Sequence, residues 1–161
     1  MSKPLVAIVM GSLSDLDAVK DTFEVLDSFQ IPYEAKVLSA HRTPDETIKY
    51  AKEAYDNGIK LFIAAAGGAA HLAGVIAGCS TLPVIGIPMK TSTLDVLDSL
   101  LSIVQMPAGV PVATVAIGKA GCKNAGVLAA TIIGAFDSDM HDKIVSYKEE
   151  MKTKVLSSVI E

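Results

Sequence analysis

The chain has 161 residues, half of them hydrophobic, with 20% charged residues, 5% aromatic residues, no Trp and a formal net charge of −4. This length predicts one domain, residues 1–161, and the weakly acidic balance without a basic stripe argues against a nucleic-acid-binding surface. No apolar run approaches the ~18 residues of a membrane span and no signal-peptide core follows Met1. We therefore expect a cytoplasmic protein without membrane association.

The hydrophobic half of the sequence exceeds what a monomer of this size usually buries. An apolar subunit interface, and hence a homo-oligomer, is therefore expected. Cys79 and Cys122 lie far apart, without Cys-x-x-Cys or Cys/His spacing. That arrangement favours two buried thiols in a reducing compartment over a disulfide or a metal site.

Five apolar runs of strand length, rich in β-branched residues, alternate with segments of helical periodicity. The predicted strands are Leu5–Met10, Tyr33–Leu38, Leu61–Ala65, Pro83–Ile87 and Val112–Ile117. The helix after the first strand carries one apolar stripe, formed by Leu16, Val19, Phe23 and Leu26. The later helices are predicted at Leu72–Cys79, Leu94–Val104, Asn124–Phe136 and Asp139–Ser157.

The helix after the second strand has a sequence typical of a capping box. Thr43 is the expected N-cap, Pro44 takes the first helical position, and Glu46 is expected to reach back to the cap. Gly58 is expected to end this helix.

The strands are continuously apolar rather than alternating, which predicts burial on both faces and a parallel sheet between two helix layers. We therefore expect an α/β fold with three α/β/α layers. Its sheet is expected to be flavodoxin-like and doubly wound, with about five strands in the order 2-1-3-4-5. The long C-terminal helix is expected to extend beyond the last strand.

Three segments of unusual composition each follow a strand directly: Gly11–Asp15, Ser39–Arg42 and Gly67–His71. Ligands of doubly wound sheets lie outside the carboxyl ends of the strands. The expected strand order places the loops after the first three strands side by side. The sequence therefore predicts that the three segments form one site.

The first of these segments has small residues before a helix N-terminus, a combination that suits an anion. Ser12 and Asp15 are equally compatible with simple helix capping. In the second segment the Arg42 guanidinium can bind phosphate and the His41 imidazole can transfer protons, although a loop histidine beside a solvated arginine is the alternative. His71 follows two glycines and is compatible with a ligand contact or with a capping or packing role.

Taken together, these segments resemble the class I branch of the aminoimidazole ribonucleotide carboxylase family, in register over nearly the whole chain. The residues that carry the resemblance are Val6–Asp15, Ser39–Pro44, Ala66–Leu72, Asp98–Pro107 and Ala116–Gly121. The resemblance implies an isomerase of de novo purine biosynthesis. It moves a carboxylate from the exocyclic nitrogen of an imidazole ribonucleotide to a ring carbon, without ATP, metal or organic cofactor, and works as a homo-octamer.

The resemblance, with the chemistry of this reaction, also assigns site residues. His41 is expected to carry the proton, and His71 to orient the carboxylate or the ring. The reaction needs a group that is first an acid and then a base, which a histidine can be. The remaining substrate-binding residues are Ser12, Ser39 and Arg42 for the phosphate, Asp15 for the ribose, and Ala40, Gly67, Gly68, Ala69, Ala70 and Leu72 around the reacting groups.

At three positions the chain departs from the family pattern: Leu16 stands for Trp, Ala73 for Pro and Val96 for Gly. None of the three changes replaces a charged group, so altered packing near the site is the expected consequence.

Other functions remain open on the sequence. The direct carboxylase branch of the family, which uses carbon dioxide, typically has Lys in place of Arg42 and lacks the Gly-Gly-Ala-Ala-His string. A receiver domain or a flavodoxin-like electron carrier would share the fold. A receiver needs an acidic residue after the third strand, where Ala66 and Gly67 stand, and a flavin carrier needs aromatic residues around the flavin ring.

Overall fold

The fold is built on a parallel sheet of five strands, seen in a computed structural model that describes residues 3–91, 94 and 96–159. The strands are β1 (Val6–Met10), β2 (Tyr33–Val37), β3 (Leu61–Gly67), β4 (Val84–Met89) and β5 (Ala113–Thr114). Their order, β2-β1-β3-β4-β5, confirms the flavodoxin-like arrangement. As a result, the carboxyl ends of all five strands meet at one edge of the sheet.

Six α-helices cover the two faces of the sheet. They are α1 (Leu16–Ser28), α2 (Pro44–Glu53), α3 (Leu72–Cys79), α4 (Leu97–Val104), α5 (Gly118–Gly134) and α6 (Ser138–Leu156), with a short 3₁₀ turn at Leu13–Asp15 before α1. The bounds predicted for α3 are confirmed at both ends. Of the segment predicted to open α4, Leu94 lies outside the helix and Asp95 lies outside the described residues.

The central strands are buried on both faces, which confirms the three-layer prediction. In β1, Ile8 points into the core formed with α1, α5 and α6, whereas Val9 points into the core formed with α2, α3 and α4. Ile63 and Phe62 of β3 divide between the same two cores. Each such fully buried side chain contributes roughly 1.5–3 kcal/mol, so both helix layers are held on the sheet by continuous apolar packing.

The predicted ends of β5, α5 and α2 are wrong. Strand β5 is shorter than expected because the chain turns at Ile117 into helix α5, which begins six residues before the predicted Asn124. Gly121 makes this early start possible, because a side chain there would collide with the carbonyl oxygen of Ala116. Helix α2 ends at Glu53, and a turn then leads to Gly58, whose φ of +97° favours glycine.

Val96, directly before α4, has an unusual backbone. Its φ is +85° although its side chain is β-branched, and the side chain is 4% exposed. A conformation of this kind costs about 1–3 kcal/mol in a residue other than glycine. The departure from glycine at this position therefore strains the backbone.

The C-terminal part of α6 projects away from the cores, since residues 151–159 are all exposed. This agrees with the expectation that the last helix extends beyond the sheet. Among residues 3–91, 94 and 96–159, no helix combines the length and the apolar character needed to cross a membrane. Of the two cysteines, Cys122 is buried as expected, whereas Cys79 is only partly buried.

Candidate active site

A cavity of about 410 Å³ lies at the carboxyl edge of the sheet, where the loops after β1, β2, β3 and β4 meet. Most of the site residues predicted from the sequence line it: Ser12, Asp15, Ser39, Ala40, His41, Arg42, Gly67, Ala69 and Leu72. Gly11, Ser14, Ala66, Lys90 and Thr91 complete the lining. The three segments that follow β1, β2 and β3 are therefore brought together.

The loop after β1 places a hydroxyl and a carboxylate on the cavity. Ser12 caps the 3₁₀ turn, since its Oγ accepts a hydrogen bond from the backbone N–H of Ser14 at 3.3 Å. The capping interpretation thus holds for Ser12, while its side chain still faces the cavity. Asp15 is half-buried, and this burial raises the pKa of its carboxyl above the usual 3.8, partly offset by a hydrogen bond with Ser14.

The loop after β2 is held by hydrogen bonds of its own side chains. Ser39 Oγ accepts hydrogen bonds from the backbone N–H of Arg42 at 3.2 Å and from Arg42 Nε at 3.3 Å. Arg42 Nη2 donates to the carbonyl oxygen of Gly11 at 2.6 Å, which ties this loop to the loop after β1. Two of the five guanidinium hydrogens are used in this way, and three stay available to an anion.

Thr43 precedes α2 as predicted, but the capping box does not form. Its Oγ1 accepts from the backbone N–H of Ser39 at 2.9 Å and donates to the carbonyl oxygen of Ser39 at 3.1 Å. No side chain caps the helix. The Thr43 hydroxyl is used to close the loop instead, which fixes His41 and Arg42 between its two ends.

The two predicted catalytic histidines contact each other across the loops after β2 and β3. His41 Nε2 and His71 Nδ1 are 2.9 Å apart, and the two rings are perpendicular, with their centroids 5.0 Å apart. One of the two facing nitrogens carries the hydrogen, and the tautomers decide which. Since Nε2 of His41 is engaged, Nδ1 is its nitrogen that is open to a ligand.

The loop after β3 depends on helix α4. Gly68, with a φ of +69°, donates its backbone N–H to Ser99 Oγ at 2.9 Å, and the fully buried Ser99 hydroxyl donates in turn to the carbonyl oxygen of Met89 at 2.8 Å. Ser102 Oγ donates to the carbonyl oxygen of Gly68 at 3.4 Å. The predicted residues Gly68 and Ala70 thus support the loop, and Ala70 is fully buried in the core rather than on the cavity.

Lys90 and Thr91, which were not predicted from the sequence, also line the cavity, from the loop after β4. The signal was present, since both residues come shortly after the predicted strand Pro83–Ile87, which in the structure runs on to Met89. The rule that ligands lie at the carboxyl ends of strands was applied to three loops, whereas β4 neighbours β3 in the sheet and its loop reaches the same cavity.

Within the described ranges, no group of three or more His, Cys, Asp or Glu side chains is placed to hold a metal ion. The cavity instead combines the His41 imidazole, one guanidinium, one ammonium and one carboxylate with small apolar residues, and His71 contacts His41 without lining the cavity itself. Such a site can bind an anionic ligand of nucleotide size and exchange a proton with it.

Comparison with known proteins agrees with this chemistry. Residues 5–154 match the family model described as AIR carboxylase. The chain is 56% identical over 156 residues to the N5-carboxyaminoimidazole ribonucleotide mutase of Bacillus subtilis, covering 97% of this chain and 96% of the relative. It is 58% identical over 153 residues to the protein of the same name from Thermotoga maritima, covering 95% and 88%.

The fold is also similar to a solved structure. The crystal structure of Treponema denticola PurE superposes with a TM-score of 0.85 at 32% sequence identity, covering 95% of this chain and 94% of that chain. The family model, the relatives and the solved structure all match along nearly the full length of the chain. The chain therefore belongs to the AIR carboxylase family.

Proposed function

We propose that this chain is an N5-carboxyaminoimidazole ribonucleotide mutase, an isomerase of de novo purine biosynthesis. It converts 5-(carboxyamino)imidazole ribonucleotide to 4-carboxy-5-aminoimidazole ribonucleotide. The observation that carries the proposal is His41, hydrogen-bonded to His71 and lining a cavity with Arg42, in a chain 56% identical to a protein of that name.

The reaction needs one proton to be given and one to be taken back. When the carbamate C–N bond breaks, carbon dioxide leaves and the exocyclic nitrogen gains a proton. The ring carbon then attacks carbon dioxide, forms the C–C bond and finally loses its hydrogen as a proton. The two transfers balance, so a single group that is an acid first and a base afterwards suffices.

His41 is the proposed proton carrier, acting through Nδ1 because its Nε2 faces His71 Nδ1 at 2.9 Å. The hydrogen bond to His71 fixes the orientation of the His41 ring and gives the pair a shared hydrogen. In this role His71 positions His41, in addition to orienting the substrate carboxylate or ring.

The nucleotide moiety is proposed to bind along the loops after β1 and β2. Ser12, Ser39 and Arg42 bind the phosphate, because all three line the cavity and Arg42 is hydrogen-bonded to Ser39 and to the carbonyl oxygen of Gly11, the residue before Ser12. Asp15 accepts hydrogen bonds from the ribose hydroxyls. Binding energy from these remote groups holds the intermediate between the two steps.

The direct carboxylase of the same family is the second candidate, and a turnover assay separates the two. The mutase converts 5-(carboxyamino)imidazole ribonucleotide without added bicarbonate, in the presence of a chelator and without ATP. A chain that instead ignores this substrate, and consumes 5-aminoimidazole ribonucleotide only when bicarbonate is supplied, would contradict the proposal. The presence of Arg42 rather than Lys, and the names of the relatives, favour the mutase.

We further propose a cytoplasmic homo-oligomer, an octamer by family resemblance. Large apolar side chains are exposed along one face of α4, at Leu97, Leu101 and Val104, and at the end of α6, at Val155 and Leu156. A contact with another copy of the chain would bury this surface. Light scattering at micromolar concentration should give a mass of several chains, and the mass of a single chain would contradict the proposal.

A further inference from the structure

Lys90 lies at the end of the cavity that is farthest along the sheet from Arg42. It directly follows β4, and its neighbour Met89 pairs in register with Gly67 at the end of β3. On its other side, the methyl group of Thr91 lies 3.1 Å from the position that a Cβ of Gly67 would take. Lys90 is therefore flanked by two residues that contact the start of the loop after β3.

The strand order separates the two cationic side chains. Arg42 follows β2 and Lys90 follows β4, with β1 and β3 between them. Three strand spacings, about 14 Å, separate the strands that carry them, and the Arg42 guanidinium reaches back over one of these spacings to the carbonyl oxygen of Gly11. The histidine pair, contributed by the loops after β2 and β3, lies between these ends. A ligand with one anionic group at each end matches this distribution of charge.

The two cations also differ in how firmly they are held. Arg42 is fixed by hydrogen bonds to Ser39 and Gly11. Lys90 is exposed, and its ammonium group makes no hydrogen bond or ion pair with another residue in the part of the chain that the structure describes. A lysine is a compact charge on a flexible stem, which suits an anionic group that changes its position. The carboxylate moved in the proposed reaction is such a group.

We propose that Lys90 is a substrate-binding residue that recognises the migrating carboxylate. This assignment rests on the proposed function, in which Arg42 binds the phosphate at the opposite end of the cavity. The ammonium group attracts the carboxylate in both the substrate and the product. It makes no such interaction with the decarboxylated nucleotide, in which only the phosphate is anionic.

Nucleotide titrations of Lys90→Met test the assignment, with the product 4-carboxy-5-aminoimidazole ribonucleotide and the carboxylate-free 5-aminoimidazole ribonucleotide as probes. Loss of a charge-assisted hydrogen bond should weaken binding of the carboxylated nucleotide by about tenfold or more. Affinity for the carboxylate-free nucleotide should stay within about twofold. Lys90→Arg, which keeps the charge, should retain most of the affinity for the carboxylated nucleotide.

Two matched variants serve as controls. Arg42→Met should weaken binding of both nucleotides, since both carry the phosphate, and Lys52→Met on the exposed face of α2 should affect neither. An equal loss for both nucleotides in Lys90→Met, or no loss for either, would overturn the role of Lys90. If the unmodified protein binds neither nucleotide, the proposed function itself fails.

Discussion

The loops after β2 and β3 supply the two histidines, but they are held in different ways. The loop after β2 closes on itself through the hydroxyls of Ser39 and Thr43. The loop after β3 has its Gly68 peptide bound by two serines of α4, a helix from a later part of the chain. Substitutions on α4 should therefore affect the site through the loop after β3 and leave the loop after β2 unchanged.

The largest expected effect tests which loop carries the proton. His41→Asn keeps similar size and one hydrogen-bonding group at Nδ1 but cannot exchange a proton. Turnover of 5-(carboxyamino)imidazole ribonucleotide should fall by ~10²–10⁴, the usual contribution of general acid–base catalysis. Nucleotide affinity, measured by titration, should stay within a few fold because the phosphate and ribose contacts persist.

His71→Asn is the matched variant on the other loop. Because His71 touches Nε2 of His41, we expect a smaller loss of turnover together with a shifted pH–rate profile. If His41→Asn keeps near-normal turnover while His71→Asn binds nucleotide but is inactive, the roles of the two histidines must be exchanged, and the loop after β3 carries the proton.

Arg42→Ala tests whether the loop after β2 can lose an anion contact without losing its shape. The hydrogen bond from the backbone N–H of residue 42 to Ser39, and the two bonds of Thr43, do not involve the guanidinium. Removing a charge-assisted hydrogen bond costs about 1.5–3 kcal/mol, so nucleotide binding should weaken at least tenfold. The urea midpoint of unfolding should barely move.

An unchanged dissociation constant in Arg42→Ala would remove this residue from the site. A large loss of stability would show instead that the bond from Arg42 to Gly11 holds the two loops together, and that the loop after β2 is not self-supporting.

Ser99→Ala tests whether the loop after β3 depends on a residue of α4, outside the loop itself. It leaves the N–H of the partly buried Gly68 and the carbonyl oxygen of the buried Met89 without the hydroxyl. An unsatisfied buried group costs about 1–3 kcal/mol, which urea unfolding can measure. Turnover should fall as well, although Ser99 does not line the cavity, because Gly68 leads directly to His71.

Ser102→Ala is the control for this variant. Its hydroxyl donates at 2.7 Å to the carbonyl oxygen of Asp98 in its own helix and only at 3.4 Å to the carbonyl oxygen of Gly68, which also accepts from the backbone N–H of Ala70 at 2.8 Å. The cost in unfolding free energy should therefore be clearly smaller. Equal effects of Ser99→Ala and Ser102→Ala would contradict the view that the Ser99 hydroxyl anchors this loop.

Most of the fold follows from the sequence because its signals are local. Continuously apolar strands such as the one starting at Val6 can only be buried on both faces, which requires two helix layers. The ends of β5 and α5 were mispredicted because the sequence does not reveal that Gly121 packs against the backbone of Ala116. Likewise, only the folded structure places Val96 in a conformation that favours glycine.

The sequence predicts which loops form the site, but it does not predict which side chains contact each other within it. Resemblance and the position of loops at strand ends identified His41 and Arg42, which do line the cavity. The contact between His41 and His71, and the use of Thr43 as a loop closure rather than a helix cap, depend on side-chain geometry. Lys90 was not predicted because the expected position of ligands at strand ends was considered for the first three loops and not for the loop after β4.

The smallest expected effect concerns the loop after β1, which the other two loops flank. Burial raises the pKa of Asp15 above 3.8, so ionising this carboxyl at neutral pH destabilises the folded state. The folded state then binds the proton more tightly than the unfolded state, and stability falls as pH rises from 3.8 through the raised pKa. Asp15→Asn should remove this penalty.

Unfolding free energies measured against pH provide the test. Asp15→Asn should be more stable than the parent at pH 7, with the gain vanishing below pH 3.8, while it binds nucleotide more weakly. Asp17 is the internal control, since a hydrogen bond and ion pair with Lys20 lower its pKa. Asp17→Asn should lose stability at pH 7, and that loss should disappear in acid. If both variants change the unfolding free energy at pH 7 in the same direction, burial does not control the pKa of Asp15. The loop after β1 would then hold the ionised carboxylate without an energetic penalty.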